Sequence, residues 1–158
     1  MNNKLKYIKP GINQQTRFEK IHTVIFDNSS VASKLIAREI ADLIISKQKK
    51  NKECILGLAT GSSPITIYNE LVKIHQTEKL SFKNVVTFNL DEYYPISKTN
   101  KKSYHSFMDH YLFSHIDIKK ENIHIPNGEL KSNEVLNSCN KYEKKIKKFG
   151  GIDFQILG

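Results

Sequence analysis

The chain has 158 residues, of which 39% are hydrophobic and 26% charged, with a formal net charge of +9. That length supports one domain with a sizeable core and no more. No apolar run approaches the roughly 20 residues of a membrane span, and the N-terminus lacks the apolar segment of a signal peptide, so a cytoplasmic location is expected.

The positive charge does not read as a nucleic-acid surface. Of the 25 basic residues only Arg17 and Arg38 are arginines, and nucleic-acid sites lean on arginine for bidentate contacts. The lysines are scattered, and the rich pieces at 46–52 and 141–150 read as helix ends and solvated helix faces. Cys54 and Cys139 stand far apart with no zinc spacing and are expected to be reduced, Cys54 as a core residue.

In chain order, residues 1–20 are polar, carry Pro10-Gly11 and show no period, which makes them an N-terminal extension ahead of a domain over 21–158. "HTVIF" (22–26) is a β-branched run and a predicted strand; Asp27, Asn28, Ser29 and Ser30 follow as N-cap candidates. Over 31–48, Val31, Leu35, Ile36, Ile40, Leu43 and Ile44 recur at helical spacing. "ECILGLA" (53–59) is a buried-type strand, and a helix follows from Pro64 through Ile67, Tyr68, Leu71, Val72 and His75. "NVVTFNL" (84–90) is a third strand, followed by the polar loop 91–102. A helix over about 103–114, a short strand "NIHI" (122–125), a helix over about 132–149 and a last strand "IDFQILG" (152–158) complete the pattern.

This alternation predicts an α/β fold of Rossmann-like class: an open, mostly parallel sheet with helices on both faces. In such sheets ligands bind beyond the carboxyl ends of the strands. The chain stops after the strand at 152–157, where one more site loop is expected, and is therefore read as the front part of a larger domain.

Two stretches at strand ends can carry chemistry. Thr60, Gly61, Ser62 and Ser63 form a strand-to-helix turn whose glycine permits close approach and whose free amides and hydroxyls suit an anion. It matches neither nucleotide-binding glycine motif. A helix start capped by Ser62 or Ser63 explains the turn equally well. Asp91 and Glu92, in "FNLDEYY" (88–94), follow the next strand. Partly shielded by Phe88, Tyr93 and Tyr94, Asp91 has the setting for a raised pKa and a general-base role. A turn residue or helix cap is the competing explanation. Their placement at neighbouring strand ends favours a site.

His105, His110 and His115, five residues apart, do not share a helix face, so no metal site is expected. Tyr68, Phe107, Phe113 and Tyr142 fall at core positions, whereas Tyr93 and Tyr104 are candidates to line a pocket.

"LGLATGSSP" (56–64), then "FKNVVTFNLDEYY" (82–94), "SYHSFM" (103–108) and "CNKYEKKIKKFGGIDFQILG" (139–158) resemble glucosamine-6-phosphate deaminase in order and spacing. The resemblance implies conversion of glucosamine 6-phosphate to fructose 6-phosphate and ammonia, without a cofactor. It implies that Thr60, Gly61, Ser62, Ser63 and Glu92 contribute to substrate binding and that Asp91 is the general base. The expected partner is a small sugar phosphate, with a homo-oligomer left open for the full-length form. The family's second catalytic segment, GxxGHIGFNEP, lies beyond Gly158, so the resemblance implies weak binding and little turnover by these 158 residues alone. A 6-phosphogluconolactonase-like hydrolase and a non-catalytic sugar-phosphate-binding domain are the alternatives; the first fits "NLDEYY" with "SYHSFM" less well, and the second lacks an upstream helix-turn-helix. A decayed product without function is the remaining one.

Overall fold

The computed structural model describes residues 6–8 and 23–158. Four strands make one parallel sheet in the order β5-β4-β3-β6: β3 (Cys54–Leu58), β4 (Val85–Asn89), β5 (Ile123–His124) and β6 (Phe154–Gln155). Helices α1 (Ser29–Lys49), α2 (Ser62–Glu78), α3 (Tyr104–Tyr111) and α4 (Val135–Lys148) cover it.

Side chains alternate along a strand, so one short segment serves two layers. Cys54, Leu56 and Leu58 of β3, with Val85 of β4, join a core built from α1, α2 and α3. Ile55 of β3, with Val86 and Phe88 of β4, packs instead with Tyr142, Ile146 and Phe149 of α4 and its end. The helices thus lie on both faces, as the pattern predicts. The parallel register sets Leu58 beside Asn89, which aligns the two strand ends that matter below.

Asn28 is the residue that caps α1, its side chain accepting from the Ser30 amide at 2.7 Å. The buried face of α1 runs through Ser33, Ala37, Ile40, Ala41 and Ile44 and leaves Val31 exposed, a rotation from the predicted stripe. Small side chains explain it. They let α2 approach closely enough for the Ser33 and Thr66 hydroxyls to bond at 2.7 Å.

The strand predicted at 22–26 forms, as β2 (Thr23–Ile25), but outside the parallel sheet. It pairs antiparallel with β1 (Lys6–Ile8) in a two-stranded sheet. Ladder hydrogen bonds need no side-chain period, which is why a strand in the polar extension left no mark in the pattern. The rest of that extension lies outside the described residues. At the other end, the last strand spans Phe154–Gln155 and Leu157 is exposed.

Candidate functional site

Because all four strands run the same way, the segments after Leu58, Asn89, His124 and Gln155 meet at one edge of the sheet. The first is the Thr60 turn. Helix α2 starts at Ser62, with Gly61 as its N-cap at φ 111°, and no side chain caps it. That φ belongs to glycine, since an L side chain is strained there. The capped-start alternative is therefore not the one the chain adopts: Ser62 and Ser63 are exposed, and among the described residues no side chain caps the first amides of α2. Tyr68 holds the turn from below, its hydroxyl donating to the Ala59 carbonyl at 2.5 Å, and burial pushes its phenol well above the ordinary range.

Thr60 and Gly61 line a cleft of about 710 Å³ with Lys101, Lys102, Ser103 and Tyr104. In the sequence the two lysines sit in a polar loop 40 residues away, with no local signal that ties them to the turn. Only the return of that loop to the α2 start brings them to the turn. The amides and dipole of a helix start, hydroxyls and two ammonium groups make this cleft suited to an anion.

Asp91 leaves β4 one strand away and is exposed. The expected shield does not form. Phe88 is turned into the sheet's α4 face and buried, with ring contacts to His124, Tyr142 and Phe149, while Tyr93 and Tyr94 are about half exposed. Asp91 lines a second, smaller cavity of about 310 Å³ with Tyr94, Asn127, Cys139 and Tyr142. Tyr93 is shared by both cavities. Its ring lies 4.7 Å from that of Tyr104. The Tyr104 phenol is held above its ordinary value, first by the neighbouring Tyr93 side chain; Thr60 pulls the other way, and burial and the Asp91 charge add to the rise. Tyr104 thus stands between the turn and the carboxylate.

Glu92 has a different employment from its neighbour. Its Oε1 accepts from the amides of Tyr93 at 2.9 Å and Tyr104 at 2.8 Å, and its Oε2 from His105 at 3.2 Å. A carboxylate on the first amides of α3 satisfies orphan donors and complements the helix dipole. These bonds tie the end of β4 to the start of α3. Gly128 fixes the same loop from the β5 side: its carbonyl accepts from Ile96 at 2.8 Å, and a Cβ there would fall 2.6 Å from the Tyr93 carbonyl oxygen.

Elsewhere, Cys54 is buried and its thiol is pushed up to about 12, chiefly by desolvation, which suits a core residue. Tyr142 packs as predicted and also bonds through its hydroxyl. His105 and His110 lie on α3 and His115 in the turn after it. Among the described residues no three His, Cys, Asp or Glu side chains gather as a metal site, and no helix is long and apolar enough to cross a membrane.

A parallel sheet with an uncapped helix start and a carboxylate at adjacent strand ends defines an α/β domain with its candidate site at the carboxyl edge of the strands. Residues 27–158 match the family described as glucosamine-6-phosphate isomerases/6-phosphogluconolactonase, and the chain belongs to that family. It is 51% identical over 132 residues to a glucosamine-6-phosphate deaminase of Borrelia garinii subsp. bavariensis, an alignment covering 84% of this chain and 47% of that protein. It is 47% identical over 135 residues to one from Clostridium botulinum, covering 85% of this chain and 53% of the relative. Among solved structures, a monomeric glucosamine-6-phosphate deaminase superposes with a TM-score of 0.77 at 40% identity, over 83% of this chain and 52% of that one. A 6-phosphogluconolactonase from Thermotoga maritima shares the fold, at a TM-score of 0.65 and 22% identity over 80% of this chain and 55% of that one. The chain spans about half the length of the relatives it matches.

Proposed function

We propose that this chain carries the phosphate-holding turn and the proton-transfer carboxylate of a glucosamine-6-phosphate deaminase. The observation that carries this reading is the uncapped α2 start facing Lys101 and Lys102, one strand away from Asp91. Thr60, Gly61, Ser62 and Ser63 hold the substrate phosphate through amides, hydroxyls and the helix dipole. Asp91 takes the proton from C2 of the open-chain sugar and returns one to C1. Water then hydrolyses the resulting C2 imine, giving fructose 6-phosphate and releasing ammonia. Glu92 serves the site by fixing the start of α3. The names of the relatives at 46–51% identity support the deaminase over the lactonase, whose solved structures resemble this chain at 25% identity or less. The setting proposed is amino-sugar catabolism in the cytoplasm, on a free sugar phosphate, with no cofactor and no nucleic acid.

The test is ammonia release from glucosamine 6-phosphate, with exchange of the C2 proton followed by NMR in deuterium oxide. Weak binding of the sugar phosphate and slow C2 exchange by the wild type, the exchange lost in Asp91→Asn with binding retained, are the expected results. Hydrolysis of a sugar-phosphate lactone without ammonia release would overturn the reading. Unchanged proton exchange in Asp91→Asn would remove the general-base role.

A further inference from the structure

Beyond Asn89 the chain leaves β4 with a ladder bond to β3, from the Leu90 amide to the Leu58 carbonyl at 3.1 Å. On its other side β5 is two residues long, and Pro126 just after it has no N–H to extend the ladder. A side chain from α4 reaches into that gap. The Tyr142 hydroxyl donates to the carbonyls of both Asn89 and His124, each at 2.9 Å. The ring is held in place edge-on to Phe88, with centroids 5.5 Å apart and planes at 88°. Burial keeps the phenol protonated, so it stays a donor.

The geometry points to Tyr142 as a positioning residue that fixes where the Leu90–Asp91 segment leaves the sheet. One hydroxyl shared by two carbonyls locks the ends of β4 and β5 together. Asp91 lies two residues beyond Asn89 and lines the same cavity as Tyr142. Downstream, Glu92 is fixed by the amides at the start of α3. The Leu90–Asp91 segment is thus suspended between two anchored points, and a carboxylate that moves protons loses rate steeply when its placement drifts. The catalytic consequence rests on the reading of Asp91 as the proton-transfer group; the clamp itself does not.

Tyr142→Phe removes the hydroxyl and keeps the ring. Amide hydrogen exchange at Leu90, whose N–H is held by the Leu58 carbonyl, is expected to quicken about tenfold relative to Leu56 within β3. Phe149→Leu serves as a control that loosens the same face without touching the hydroxyl, and should leave that ratio unchanged. If exchange at Leu90 in Tyr142→Phe rises only in step with Leu56, or not at all, the clamp is refuted. In the C2 proton-exchange assay, Tyr142→Phe should lower the rate about tenfold with the KM for sugar phosphate unchanged. A wild type that binds no sugar phosphate and exchanges no proton would count against the reading of Asp91, while the amide-exchange ratio still decides the clamp.

Discussion

Against one face of the sheet, α1 and α2 bury Ala37, Ile40, Ala41, Ile44, Tyr68 and Leu71 almost completely. Against the other, α4 buries no residue fully and holds on through the half-covered Tyr142, Ile146 and Phe149, with Leu136 74% exposed. The first face has the close packing from which most folding stability derives. The second combines thin apolar cover with specific polar links: the Tyr142 hydroxyl to two strand ends, and Lys145 to His124 Nδ1 at 3.3 Å. One helix layer stabilises the sheet, and the other aligns the strand ends from which the candidate site projects.

That division is open to measurement. Ile44→Ala, on the packed face, should cost about 3 kcal/mol in urea unfolding, whereas Ile146→Ala should cost about 1 kcal/mol because its methylenes are already partly in water. Equal costs would erase the distinction. A smaller effect of opposite sign is expected at Thr87, which is 1% exposed and whose hydroxyl finds no hydrogen-bond partner among the described residues. Thr87→Val keeps the shape and removes the orphan, so stability should rise by about 1 kcal/mol or less; a loss would show that the hydroxyl is satisfied.

The smallest effect is one of pH on the α4 face. Burial, and then the charge of Lys145, hold His124 below its ordinary value of 6.5. A group with a lowered folded pKa binds its proton more readily when unfolded. Its contribution is therefore complete above about pH 6.5 and is lost as the pH falls from there through the folded value. The thermal midpoint should decline between about pH 7 and pH 5, and less steeply in His124→Gln. Because burial also lowers His105, on α3, some decline should persist in that variant. An identical slope in wild type and His124→Gln would show that His124 contributes nothing to it.

What the sequence by itself determined is whatever short-range periodicity encodes. Short apolar runs at 53–59 and 84–90, and helical spacing from Pro64 to His75, marked the parallel core and its covering layers. The same local signals put Asp91 just past a strand and Gly61 at a helix start. Whether that start was capped or open was decided only by the tertiary structure, because among the described residues no side chain caps it. The employment of Glu92 was likewise decided by amides 12 and 13 residues away, and that of the Tyr142 hydroxyl by a carbonyl 53 residues away. The same holds for β2, drawn out of the parallel sheet by a partner in the polar extension. Periodicity records which face of an element is buried, whereas a hydrogen bond between distant residues depends on where the chain returns, and no local pattern carries that.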